Sequence, residues 1–149
     1  MYAGRTQQGR YHPRNPEKYV GDINKIRFMS SWEREAHQFF DNNPNILRWS
    51  SEEIGIPYLN AIDNKYHTYY PDYWIEYRNR KGEIVQEIIE VKPAAQVKRP
   101  SAKGKSRKVQ LYEQLTYVKN MSKWKYAQAF CDAHRIRFRI ITEKQLFKG

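Results

Sequence analysis

The sequence predicts a single α/β domain with a mixed central sheet, on three observations. First, a chain of 149 residues has the size of one ordinary domain and can bury a core. Second, apolar residues recur at helical spacing between residues 32 and 40, whereas β-branched and alternating segments follow from residue 46. Third, the predicted order of helix, β-hairpin, helices and strand is typical of a sheet flanked by helices.

The first predicted helix lies in the segment SWEREAHQFFDNNP. Ser30 and Ser31 are suitable N-cap residues, and Pro44 ends the segment. One face carries apolar residues at i, i+4, i+7 and i+8, namely Trp32, Ala36, Phe39 and Phe40. Residues 1–29 are polar, basic and rich in Gly and Pro, so they are predicted to form an irregular N-terminal arm ahead of a domain of residues 30–149.

A β-hairpin is the main feature of the middle of the chain. Short strands are predicted at ILRW and EEIGIPYL, followed by a turn at Asp63 and Asn64. Residues 72–78 then alternate like a strand, NRKG supplies turn residues, and residues 83–92 form the partner strand. Further on we expect two helices (109–119 and 123–134), a strand (136–141) and a short final turn at TEKQLF.

The charge of the chain points to a polyanionic partner. Lys and Arg number 27 against 16 Asp and Glu, which gives a formal charge of +11, and nucleic acid is the first partner to expect. No apolar run approaches the roughly 18 to 20 residues of a membrane-spanning helix, and MYAGRTQQGR lacks the apolar core of a signal peptide. We therefore expect a soluble, intracellular protein without a membrane partner. Cys131 has no partner for a disulfide or a zinc site and is predicted to be a small buried residue.

Opposite charges at the end of the second hairpin strand suggest a site. Glu90 and Lys92 point to one face of that strand, whereas Val91 points to the other. The hairpin turn brings Asp72, at the start of the first strand, beside Glu90. Two converging carboxylates form a hard oxygen site of the kind that Mg²⁺ prefers. A lysine beside such a metal orients or deprotonates a water, or neutralises phosphoryl charge, so the predicted chemistry is phosphodiester hydrolysis.

The arrangement Pro71-Asp72 followed by Glu90-Val91-Lys92 resembles the signature of the PD-(D/E)xK nucleases. The segments SWEREAHQFFDNNPNILRW, YYPDYWIEY and EIIEVKP are similar to those of TnsA-type transposon endonucleases. With GRYHPRNPEKY added, nearly the whole chain resembles the head-completion nucleases of myophages.

This resemblance implies a restriction-endonuclease-like fold and a DNA endonuclease that depends on Mg²⁺ or Mn²⁺. Its implied catalytic residues are Asp72, Glu90 and Lys92, with Glu33 on the first helix as an extra acidic residue that joins Asp72 and Glu90 as a metal ligand. It also implies a role in phage head completion and head-tail joining after DNA packaging. The implied partners are DNA and the portal or head-neck proteins, in the bacterial host cytoplasm or in the virion.

Each of these residues has a simpler interpretation. Glu33 also fits a capping box with Ser30, and Glu90 with Lys92 also fits a solvated ion pair. Asp72, which follows Pro71, also fits the start of a turn. A basic loop is expected to contact DNA, although a solvated loop is the alternative; its cations are Lys98, Arg99, Lys103, Lys105, Arg107 and Lys108.

Two other functions share these features. One is a non-catalytic basic DNA-binding or head-joining protein, and the other is a nuclease that cleaves transposon ends or junctions. Acidic side chains where phosphates dock repel the ligand unless a cation intervenes, so the carboxylates favour the enzyme over the binding protein.

Overall fold

The structure is a computed structural model that describes residues 7–142 and residue 145. Within this part the helices and strands are, in chain order, β1 (Gly9–Arg10), a 3-10 turn (Pro16–Lys18), β2 (Arg27–Phe28), α1 (Ser31–Asn42), β3 (Ile46–Ser51), β4 (Ile56–Asn60), β5 (Lys65–Tyr69), β6 (Tyr73–Arg78), β7 (Ile84–Val91), α2 (Ala94–Val97), α3 (Arg107–His134) and β8 (Arg137–Ile141). The predicted α/β class and the predicted hairpin, β6 and β7, are confirmed.

The central sheet has four strands in the order β3-β6-β7-β8. β6 is antiparallel to both β3 and β7, whereas β8 runs parallel to β7. A parallel pair requires a crossover connection, and α3 provides it. The mixed sheet of a restriction-endonuclease-like fold is therefore confirmed, and β7 is a central strand.

The two faces of the sheet are covered by different elements. Side chains alternate along β7, so Ile89 and Val91 pack in the cluster under α1, whereas Ile88 packs on the opposite face. That opposite cluster contains Trp124 and Cys131 of α3 together with side chains of the β4–β5 hairpin. Cys131 is a buried free thiol, as predicted.

The N-terminal segment packs into the core below α1. Tyr11, Tyr19 and Ile26 are buried in the same cluster as Trp49. The buried carboxylate of Asp41 accepts hydrogen bonds from Tyr11 Oη (2.6 Å) and from the backbone nitrogens of residues 14 (2.6 Å) and 15 (3.0 Å). The segment is mostly irregular, but it contributes side chains to the common core; the boundary after residue 29 stays a prediction.

α3 corrects the prediction of two separate helices. It is one helix of 28 residues, and Asn120 and Ser122, which lie between the two predicted segments, are buried within it. Ser122 Oγ donates to the carbonyl of Val118 (3.1 Å) and accepts from the backbone nitrogen of Ala61 (3.3 Å). Ser122 thus uses its hydroxyl group to contact the loop after β4. No helix in the described part of the chain is long and apolar enough to cross a membrane.

The remaining differences from the sequence predictions concern the buried face of α1, the additional strand β5 and the final turn. Phe39 was expected in the buried stripe of α1 but is 57% exposed, and His37 and Asp41 are buried instead. β5 was not predicted, because all its side chains except Tyr69 face solvent. The final turn at TEKQLF lies largely outside the described residues.

Candidate active site

The carboxylates of Asp72 and Glu90 lie at the open end of the β6–β7 hairpin. The register pairs Tyr73 with Ile89, which places Asp72 and Glu90 next to each other one position further along. Asp72 Oδ2 accepts a hydrogen bond from the backbone nitrogen of Val91 at 2.7 Å. The two strand ends are therefore joined through the side chain of Asp72, and the expected meeting of the two acids is observed.

Glu90 is buried and held from two sides. Its Oε1 accepts a hydrogen bond from Tyr69 Oη at 2.6 Å, and its Oε2 lies 3.5 Å from Lys92 Nζ. Only 5% of Glu90 is exposed, so the interpretation as a solvated surface ion pair is wrong. A buried charge requires a structural or functional partner, because its removal from water is costly.

Ionisation of the acids in the site is disfavoured by burial and by their own negative charges. Burial raises the pKa of Asp72 well above its usual range, and the charge of Glu90 adds to this, against the opposing effects of the Val91 N–H and Lys92. Burial also raises the pKa of Glu33. A cation placed between these groups would lower the cost of ionising them.

Glu33 caps α1 and also lines the acidic cavity, while its role as a metal ligand stays a prediction. Ser30 Oγ accepts a hydrogen bond from the Glu33 backbone nitrogen (3.1 Å), and Glu33 Oε1 accepts one from the Met29 nitrogen (3.0 Å). These contacts close the N-terminus of α1 like a capping box. Glu33 also lines a cavity of about 60 Å³ together with Glu52 and Asp72, so the cap directs it towards the site.

Glu52 is a site residue that the sequence did not reveal. It follows β3 with φ of 55°, in the left-handed region, and its backbone nitrogen donates to the carbonyl of Asp72 (3.1 Å). Solvent still reaches Glu52, yet burial raises the pKa of its carboxyl, and the charges of Glu33 and Glu90 raise it further. Glu52 is the first member of an acidic pair after β3. Its other member, Glu53, accepts instead from Tyr19 Oη (2.9 Å).

The donor set fits a hard divalent cation. All the converging side chains are carboxylates, and Mg²⁺ is typically held by one or two carboxylates while it keeps several waters. Among the residues that the structure describes, no three His, Cys, Asp or Glu side chains already stand together as a metal site. The site thus supplies ligands of the right type without a complete protein cage.

The predicted DNA-binding cations lie after α2 and in the first turn of α3. All but Lys105 are exposed, namely Lys98, Arg99, Lys103, Arg107 and Lys108. Lys105 Nζ lies 2.6 Å from Glu113 Oε1, so its charge is compensated within the protein. The contact of this loop with DNA stays a prediction.

A wider groove than the acidic cavity lies elsewhere. It has a volume of about 800 Å³ and lies beside α1, where Phe39, Tyr77 and Arg139 line it. None of the converging carboxylates lines this groove. The candidate site is therefore the smaller cavity, which Glu33, Glu52 and Asp72 line.

Two comparisons place the chain among known proteins. A family model described as TnsA-like endonuclease N terminal matches residues 43–143, a range that contains Asp72, Glu90 and Lys92 and begins after Glu33. The chain is also 34% identical to the head completion nuclease of Enterobacteria phage T4, in an alignment that covers 95% of this chain and 97% of that protein.

Proposed function

Because the chain belongs to the TnsA-like endonuclease family, we propose that it is a metal-dependent DNA endonuclease that acts in phage head completion. The observation that carries the proposal is the convergence of Asp72 and Glu90 with Lys92 at one end of the β6–β7 hairpin. A nuclease needs carboxylates for a cation and a lysine for phosphoryl charge, and both are supplied here by a rigid pair of strands.

Each residue has a separate task in this mechanism. One oxygen of Asp72 is held by the Val91 N–H, so its second oxygen would bind the cation, with Glu90 as the next ligand. Glu33 and Glu52 would complete the acidic wall, directly or through water. Held by these carboxylates, Mg²⁺ or Mn²⁺ would supply activation of a water and neutralisation of phosphate charge. Lys92 donates a hydrogen bond to the attacking water or to a phosphate oxygen, and Glu90 keeps its ammonium in place.

The biological role is supported by the similarity over nearly the full length of both chains. The T4 relative is named a head completion nuclease, and the alignment leaves little of either protein uncovered. We propose that this chain trims or cleaves packaged DNA during head completion, before the tail joins, in contact with portal or head-neck proteins. The bacterial cytoplasm and the virion are the places where such a substrate exists.

The alternatives predict different behaviour. A DNA-binding or head-joining protein without catalysis would use the charge of +11 but would gain nothing from buried acids beside the docked phosphates. A transposon-end or junction nuclease shares the chemistry and differs in its substrate. The two nuclease roles are separated by testing linear, circular and branched DNA side by side.

The test is cleavage of supercoiled plasmid and linear duplex DNA by the purified protein with Mg²⁺, Mn²⁺ or EDTA. We expect cleavage only with a divalent cation, and its loss in Asp72→Ala and in Glu90→Ala. Both variants should still fold and bind DNA, more tightly if removal of a carboxylate relieves repulsion of the phosphate. Glu83→Ala is the matched control, because Glu83 is an exposed acid at the turn of the same hairpin. Full activity of either site variant with Mg²⁺ would refute the metal site.

A further inference from the structure

Besides Lys92, a second lysine lies close to the site, and it belongs to a helix rather than to the β6–β7 hairpin. Lys123 lies in α3, and its Nζ is placed over the ring of Tyr69, 5.5 Å from the ring centroid. Tyr69 Oη in turn donates to Glu90 Oε1 at 2.6 Å. One aromatic ring therefore separates the ammonium group of Lys123 from the buried carboxylate at the centre of the site.

This ammonium group has little compensation within the protein. Lys123 is half-buried, and among the residues described it forms no salt bridge. The face of Tyr69 offsets part of the lost hydration, since an aromatic face attracts a cation placed over it. A half-buried cation with this partial compensation is a position that an anion would stabilise.

Like charges surround it as well. Burial, and then the charges of Lys119 and Lys92, lower the pKa of Lys123 in opposition to Glu90 and Asp72. Lys119 and Lys123 are four residues apart in α3 and so lie on the same face of the helix. The charges of Lys119 and Lys92 thus act against that of Lys123, and this repulsion is a cost that a bound anion would reduce.

We propose that Lys123, with Lys119 beside it, binds a DNA phosphate next to the one that is cleaved, and so positions the strand across the site. This inference rests on the proposed nuclease function and adds to it a strand-binding residue outside the hairpin. Lys123 does not act on the reacting atoms; it fixes the DNA backbone relative to Asp72 and Glu90. The stacked arrangement through Tyr69 keeps it at a set distance from Glu90.

A structural role is the competing explanation. The aliphatic stem of a lysine packs well on an aromatic ring while its ammonium group reaches solvent. Lys123→Met keeps most of that stem and removes the charge, whereas Lys123→Arg keeps the charge. A packing role therefore predicts that Met is tolerated, whereas a phosphate contact predicts that only Arg is.

The experiment measures duplex DNA binding in EDTA, where no cleavage occurs, at salt concentrations between 50 and 200 mM. Loss of one phosphate contact lowers the slope of log K against log salt by about 0.9. Over this fourfold salt range, both proteins lose DNA affinity as salt rises. The fold-loss for Lys123→Met should thus be roughly 3.5 times smaller than the fold-loss for the wild type. Its KM for DNA in Mg²⁺ should rise more than its kcat falls, and Lys123→Arg should restore both. Lys125→Met is the control, since Lys125 is exposed on the same helix.

The outcomes distinguish this inference from the proposed function. If Asp72→Ala is inactive but Lys123→Met binds and cleaves with the wild-type slope and KM, the inference is wrong and the nuclease proposal stands. A loss of thermal stability of Lys123→Met with an unchanged slope would show that the ammonium group serves the fold, and would equally overturn the inference. If the wild type itself neither binds nor cleaves DNA, the nuclease proposal fails first.

Discussion

Replacing Glu33 by Gln distinguishes its role as a cap of α1 from its proposed role as a metal ligand. The Gln side chain keeps an acceptor for the Met29 N–H, which is 3.0 Å from Glu33 Oε1. It loses the negative charge near the helix N-terminus, which is worth about 0.3–1 kcal/mol, and weakens one hydrogen bond by about 1 kcal/mol. Against this, the burial that raises the pKa of Glu33 and its repulsion with Glu52 no longer disfavour the fold. We therefore expect the free energy of unfolding to change by no more than about 1 kcal/mol, or about 2–4 °C in Tm.

Cleavage should respond quite differently to the same change. If Glu33 helps to hold a cation, Gln preserves shape but not charge, and plasmid nicking in Mg²⁺ should fall at least about 10- to 100-fold. Thermal unfolding and nicking are measured on the same preparations, beside Glu35→Gln, which alters an exposed acid on the same helix. A Glu33→Gln enzyme as active as the wild type would refute the role in the site and leave Glu33 as a cap alone.

Two other predictions concern binding and stability. Neutralising part of the basic loop should lower the salt slope of DNA binding by about 0.9 per lost phosphate contact, without a change in Tm; the changed residues are Lys103, Lys105, Arg107 and Lys108. We expect the smallest contribution from Lys105, because Glu113 already pairs with it, and an unchanged slope would mean that the loop is only solvated. Asp41→Ala should cost about 3–5 kcal/mol of unfolding free energy in urea titrations, because it leaves Tyr11 Oη and two backbone N–H groups without their acceptor. A loss below about 1 kcal/mol would show that water replaces Asp41.

The hairpin and its acids were predictable because local rules determine them. Alternating side chains and the turn residues NRKG define β6, β7 and their register, and that register alone brings Asp72 to Glu90. The N-terminus of α1 was equally local, since Ser30 and Glu33 form it within three residues. Short-range signals of this kind do not depend on the rest of the fold.

The residues that were missed depend on long-range packing. Glu52 reaches the site because β3 pairs with β6, and Lys123 reaches it because α3 crosses over the sheet. Neither contact has a sequence signature, since a charged residue after a strand or within a helix is most often solvated. The continuity of α3 through Ser122 is also supported by a distant contact, since Ala61, which donates to Ser122 Oγ, lies 61 positions away in the chain.

The acidic cavity should also bind a cation in the absence of DNA, and this binding should stabilise the fold. Burial first, and then the charge of Glu90, raise the pKa of Asp72 far above its usual range, so the ionised carboxyl destabilises the fold at neutral pH. A cation that binds only the folded state stabilises it by RT ln(1 + [L]/Kd), or about 2.7 kcal/mol at 100 times Kd. Thermal unfolding at neutral pH should therefore show a rise in Tm with Mg²⁺ or Mn²⁺, and this rise should be lost on addition of EDTA.

Asp72→Asn should match or exceed the wild-type Tm in EDTA, because the amide oxygen can still accept from the Val91 N–H while the buried charge is gone. This variant should show no cation-dependent rise in Tm. Glu83→Gln, at the far end of the hairpin, should behave as the wild type in both conditions. A wild-type Tm that does not respond to either cation, or an Asp72→Asn variant that responds fully, would mean that the carboxylates do not bind a metal in the free protein.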